Sequence, residues 1–154
     1  MTVSLGDQTL KTVARHGQWR VELQPRPAGG PFVLTIEGED KRIFNNLMYG
    51  DVYLCSGQSD MEWPISLSVE KEALLAEPQD PQLRLFLVEH CVSDTPRQIP
   101  INKAGWNSAR ADFSAVAYCF GRSLRRSQGV TIGLLEASWG GTLAEAWTRS
   151  EALS

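Results

Sequence analysis

At 154 residues, with 42% hydrophobic and 21% charged residues, the chain has the balance of a folded globular protein, and its length suits one ordinary domain or a small accessory unit joined to part of a larger one. A formal net charge of -3 leaves no basic footprint for nucleic acid or for an anionic membrane surface, so neither is expected as a partner. Cys55, Cys91 and Cys119 are odd in number and lack CxxC or Cys/His ligand spacing, so neither a disulfide framework nor a metal site is expected, and no other cofactor is called for.

The N-terminus, Met1 to Asp7, has no basic stretch followed by an apolar one, and no window approaches the ~20 apolar residues of a membrane span. A removed signal peptide would leave the same picture, so location stays open. Residues 1–50 predict an antiparallel β accessory unit, part of a β-sandwich, with strands over Thr9–Ala14, Trp19–Leu23, Phe32–Glu37 and Arg42–Met48. Turn clusters at His16-Gly17 and Ala28-Gly29-Gly30-Pro31 separate them. Apolar and polar residues alternate in Trp19–Leu23 and Val33–Glu37, as one wet and one buried face require.

From Asp51 to Ser154 the pattern changes to apolar strands alternating with helices. Asp51–Cys55 is a short strand stopping at Ser56-Gly57, Ser68–Ala76 is helical in propensity, Gln82–Val88 is a strand, and Thr95–Pro100 is a loop. Ser114 is a good N-cap for a helix over Ala115–Ser127 that would bury Val116, Cys119, Phe120 and Leu124. Arg122, Arg125 and Arg126 suit its C-terminal end, and Gly129 stops it. Val130–Glu136 is a further strand, and Gly140-Gly141-Thr142 opens a last helix over Leu143–Arg149. The order predicts an α/β fold with a mostly parallel, three-layer sheet, in which ligands sit at the carboxyl ends of the strands.

Two stretches carry chemistry. Cys55-Ser56-Gly57-Gln58-Ser59-Asp60-Met61 places a serine where a strand turns into a helix, lifting its hydroxyl out of the sheet and bringing backbone N–H groups near it. On spacing alone an N-cap serine explains it equally well, and it is not a GxSxG elbow. Ala137-Ser138-Trp139-Gly140-Gly141-Thr142 follows another strand, and its paired glycines let backbone N–H donors approach a ligand, although a plain turn also uses glycines.

Together with Gly17-Gln18-Trp19, Gly50 to Cys55, Phe113 to Val116 and Ile132 through Glu145-Ala146-Trp147, these stretches resemble the sialate O-acetylesterase family, carbohydrate esterases of the SGNH (flavodoxin-like) hydrolase type. The resemblance covers most of the chain as the N-terminal and central part of such an esterase. It implies Ser59 as nucleophile, its own N–H with Gly140 or Gly141 as oxyanion hole, an acetylated sialic acid or other acetylated carbohydrate as substrate, and no metal. It also suggests a secreted, lysosomal or periplasmic setting. Gln58, Asp60, Trp63, Trp139 and Thr142 are candidate pocket residues beside the serine.

Three departures from the family pattern stand out. Asp60 replaces the family's Asn, and a carboxylate facing the site would oppose a developing oxyanion. The Asp-x-x-His segment that carries the family's general base does not occur in these residues, and both ends look cut relative to the family. An isolated chain is therefore expected to be a feeble esterase, since general-base help is worth roughly 10²–10⁴ in rate. Self-association, or docking of a missing C-terminal half, would complete the sheet.

His90, after the strand Gln82–Val88, is a candidate substitute base against the plainer reading of a solvated loop histidine, whereas His16 falls in a turn. Trp19, Trp106 and Trp147 are expected to fill the core or the contact between the units. Glu145 complements a first helical turn, and Asp60 and Glu62 are not placed as a glycosidase pair. The alternative to an esterase is a non-catalytic remnant acting as a carbohydrate-binding or interaction module.

Overall fold

The computed structural model describes residues 1–93, 95, 105–106 and 110–153. The chain divides into two compact units, Met1–Asp51 and Val52–Ser154. Apart from Thr95, the loop expected over Thr95–Pro100 lies outside the described residues.

The first unit is a four-stranded antiparallel sheet in the order β2-β1-β3-β4, built from β1 (Thr2–Leu5), β2 (Gln8–Lys11), β3 (Gly29–Glu37) and β4 (Lys41–Tyr49). A two-residue turn, Gly6-Asp7, joins β1 to β2, and Gly6 takes the left-handed φ of 59° that such a hairpin needs. Val3 and Leu5 point inward and are buried.

The strand expected over Trp19–Leu23 does not form. The place beside β3 is taken by β1, with Leu5 opposite Leu34, and the chain beyond Leu23 is instead hooked to β2, where the Gln24 N–H donates to Gln8 Oε1 at 2.8 Å. The expected turn at His16-Gly17 is present, both residues having positive φ between the bridge partners Arg15 and Gln18.

The second unit is α/β. Its three-stranded sheet has the order β5-β7-β6, with β5 at Asp51–Gly57, β6 at Leu83–Leu87 and β7 at Ile132–Ser138, and β6 runs parallel to β7 from Leu83 opposite Ile132 to Leu87 opposite Glu136. Short helices α1 (Ser59–Glu62) and α2 (Lys71–Ala76) follow β5, and α3 (Ala115–Gln128) precedes β7. The mixed architecture, an antiparallel sheet followed by a parallel one, is the fold class expected from the sequence.

The core gathers Cys55, Leu83, Leu85, Ile132 and Leu134 from the sheet with Ile65, Leu74, Phe113, Ala117 and Tyr118. The buried Arg110 guanidinium ties two of these elements together, donating to the Tyr118 hydroxyl at 2.8 Å and to the Glu77 carbonyl at the end of α2 at 2.6 Å. Cations satisfy carbonyls left open at a helix C-terminus in this way.

α3 starts and stops as its sequence predicts. The Ser114 hydroxyl oxygen accepts the Ala117 N–H at 3.1 Å, and Gly129, at φ 71°, returns its N–H to the Arg125 carbonyl at 3.1 Å. Its buried face differs from the expected one. Ala117, Tyr118 and Gly121 face the sheet, Cys119 and Leu124 are partly buried, and Val116 and Phe120 are about half exposed.

The reason is close approach: a Cβ on Gly121 would stand 2.5 Å from Leu134 Cδ1, so the helix meets the sheet most closely at a residue without a side chain. Gly121→Val should therefore overpack the seam and lower stability by about 1–3 kcal/mol, read as a reduced urea midpoint at unchanged m-value. Arg122 and Arg126 pair with Glu77, and Arg125 pairs with Asp80.

The last expected helix, Leu143–Arg149, is only a 3₁₀ turn at Ala144–Trp147, followed by another at Ser150–Ala152. Thr142 organises this end, its hydroxyl donating to the Trp139 carbonyl and accepting from Trp147 Nε1, both at 2.7 Å. Trp19, Trp106 and Trp147 do not fill a core, being 39%, 44% and 47% exposed. Trp106 lies edge-on to Phe86 and over Gly133.

Candidate active site

The carboxyl ends of β5 and β7 meet. The Ser56 hydroxyl donates to the Ala137 carbonyl at 3.0 Å, and the Trp139 N–H donates to the Gly57 carbonyl at 3.0 Å. This pairing brings the two glycine-bearing stretches together. Gly57, at φ 157°, lets the chain leave β5 and enter α1 within one residue of Ser59. Ser59 opens α1 and is exposed.

Gly140 packs directly against the serine: a Cβ there would lie 3.5 Å from both Ser59 Cα and Ser59 Oγ. The Gln58 side-chain amide donates to the Thr142 carbonyl, closing the turn from the far side. Ser59, Gln58, Gly140 and Thr142 are thus neighbours although about 80 residues separate them in sequence. Asp60 is exposed, and Trp63, at the end of α1, is 52% exposed. Gly141 takes the left-handed φ of 73° at the exposed tip.

Acid and imidazole groups flank the serine turn. Glu62, three residues after Ser59, accepts the Gly140 N–H on Oε2 at 2.5 Å and holds Oε1 3.4 Å from His90 Nε2. The same nitrogen lies 2.8 Å from the Ser138 carbonyl, which can only accept, so Nε2 carries the proton. The imidazole is stacked on Trp139 with ring centroids 4.2 Å apart and planes 4° from parallel.

Beneath them lies Glu136, fully buried, whose carboxylate accepts the Ser114 N–H at 2.7 Å and the Ser138 hydroxyl at 2.9 Å. Burial pushes its pKa up. The two hydrogen bonds pull the other way, the Glu62 charge adds to the rise and His90 opposes it. Burial, with Glu136 close by, also raises the pKa of the Cys55 thiol, which keeps it protonated and unreactive.

Among the described residues no group of three or more His, Cys, Asp or Glu side chains could hold a metal ion, and no helix is long and apolar enough to cross a membrane. Glu62 and Glu136 emerge as neighbours of the site that the motif reading did not assign to it. For Glu136 a signal was present, an acidic residue inside the apolar run Ile132-Gly133-Leu134-Leu135-Glu136-Ala137, since such a residue is rarely buried without fixed partners. For Glu62 the signal was its helical offset from Ser59, which places both on one side of α1.

A serine at a strand-to-helix turn, backed by a glycine loop from the neighbouring strand, is an arrangement suited to acyl transfer, and the comparisons with known proteins agree with that class. The fold matches part of a solved structure: the chain superposes on the crystal structure of a carbohydrate acetylesterase from Xanthomonas citri with a TM-score of 0.91 and 35% identity, over 99% of this chain and 36% of that one. In sequence it is similar to the sialate O-acetylesterase of Mus musculus, 32% identical over 151 residues (88% of this chain, 28% of the relative), and to that of Homo sapiens, 27% identical over 174 residues (99% of this chain, 33% of the relative).

The resemblance to the sialate O-acetylesterases expected from the motifs is therefore found across nearly the whole chain, which spans about a third of the length of these relatives. No protein-family model matches the chain.

Proposed function

We propose that the chain carries the nucleophile part of a carbohydrate O-acetylesterase acting on acetylated sialic acid or a related acetylated sugar. The observation that carries this reading is the contact of Ser59 with the Gly140 loop in a chain similar to acetylesterases over nearly its full length. Ser59 Oγ attacks the acetyl carbonyl, the sugar hydroxyl leaves with a proton, and water releases acetate from acetyl-Ser59. The negative oxygen of each tetrahedral intermediate is received by backbone N–H groups of Ser59 and the Gly140-Gly141 loop, the kind of fixed donors worth roughly 10²–10³ in rate apiece.

Trp63 and the Trp139 ring offer apolar surface to the sugar, with Gln58, Asp60 and Thr142 at the rim. The attack needs a general base to take the Ser59 proton. Treatment with an activated phosphonate followed by peptide mapping tests the assignment. A single adduct on Ser59 is expected, and a folded chain joined to its complementary part that takes no label would overturn it and favour a non-catalytic carbohydrate-binding module.

A further inference from the structure

We infer that Glu62 is a positioning residue of this site, fixing the Gly140 loop through the Gly140 N–H, so that Gly141 and Ser59 are left to donate to the oxyanion. The inference rests on the acyl-transfer reading above and decides between the two glycines. Glu62 closes α1, one turn after Ser59, and its Oε2 takes the Gly140 N–H at 2.5 Å, a charge-assisted bond from a backbone donor that the nucleophile turn alone would not hold. That N–H is already committed to a carboxylate. A substrate oxygen reaching for it would have to displace an anion and place its own developing charge in that anion's position, which Coulomb repulsion opposes.

The loop is gripped on its other side as well. The His90 ring stacks on Trp139 and its Nε2–H points to the Ser138 carbonyl, with Glu62 Oε1 3.4 Å away, so Ser138, Trp139 and Gly140 are each held by a side chain. No side chain fits at Gly140, where a Cβ would sit 2.5 Å from Glu62 Oε2 and 3.5 Å from Ser59 Oγ. Gly141, the next residue, takes a left-handed φ of 73° at the exposed tip, and its N–H is not drawn into the clamp that holds Gly140. Gly140 is the anchor and Gly141 the donor.

The test compares Glu62→Ala and Glu62→Gln with the unaltered chain, reading amide hydrogen exchange at Gly140 and the second-order rate of Ser59 labelling by a fluorophosphonate. Glu62→Ala removes the acceptor. It should speed Gly140 exchange about tenfold or more and slow Ser59 labelling roughly 10- to 100-fold, because a loop displaced by about 1 Å misplaces its donor. Glu62→Gln keeps an acceptor oxygen and should recover most of both. Thermal melts of the variants show whether the chain still folds, and Glu62→Gln carries the comparison where Glu62→Ala does not.

Faster labelling in either variant would mean that Glu62 blocks the donor instead of positioning it, and unchanged labelling with unprotected Gly140 would remove its role. If the unaltered chain, supplied with its complementary part, takes no label at Ser59, the esterase reading fails. Gly140 exchange then reports the clamp on its own.

Discussion

Ser59→Ala is expected to reduce hydrolysis of p-nitrophenyl acetate to the rate of buffer alone, while leaving the melting curve unchanged. The residue is exposed, and its side chain makes no part of the core, so the substitution removes the hydroxyl and little else. The rate it removes is itself small in the 154-residue chain. A serine hydroxyl is a poor nucleophile without a general base, whose help is worth roughly 10²–10⁴ in rate.

Nε2 of His90 does not supply that base in this arrangement, because it already donates to the Ser138 carbonyl, and the ring is held by stacking on Trp139. His90→Ala should thus change turnover far less than Ser59→Ala does. A drop as large as that of Ser59→Ala would instead make His90 the base. Equal rates for the unaltered chain and Ser59→Ala, in the presence of the remaining part of the esterase, would withdraw the nucleophile role.

What could be read from the sequence depended on how local the determinant was. α3 was legible at both ends because a capping hydroxyl at Ser114 and a left-handed glycine at Gly129 act within one turn. β6 and β7 were legible as apolar runs, and the Ser59 turn as a strand followed by Gly57-Gln58-Ser59. The buried face of α3 was not, because the helix approaches Leu134 through Gly121, and a pattern that weighs only bulk assigns that face to Val116 and Phe120.

Trp19–Leu23 alternates as a strand should, yet alternation does not say which segment wins the edge of β3, and β1 does. At the site, Ser59, Gly140 and Gly141 were singled out by their spacing and glycine content. Glu62 was not, because its partners Gly140 and His90 lie 78 and 28 residues away and come together only when β5 and β7 pair.

Glu136 gives the second large effect, and its sign follows from burial. The folded-state pKa is raised above the ordinary 4.5, so as pH climbs past that value the unfolded chain releases its proton while the folded chain keeps it. The unfolded state then gains relative to the folded one. Stability contributed by the protonated form is fully present below about pH 4.5, falls as pH rises towards the folded pKa, and levels off above it.

Glu136→Gln has no proton to lose. Its amide oxygen can accept the Ser114 N–H, and its amide nitrogen can donate to a Ser138 hydroxyl turned about its bond. Measured against the unaltered chain by urea unfolding from pH 4 to pH 8, its relative stability should rise with pH across that window. Glu136→Ala removes the same titrating group, so its stability relative to the unaltered chain should rise with pH in parallel but from a lower level, a loss of about 2–4 kcal/mol near pH 4, because it leaves the N-cap N–H of α3 and the Ser138 hydroxyl buried without an acceptor and opens a cavity. A stability difference between Glu136→Gln and the unaltered chain that is flat with pH would mean that Glu136 ionises equally easily in both states, and the buried carboxyl would not be the strained group its surroundings make it.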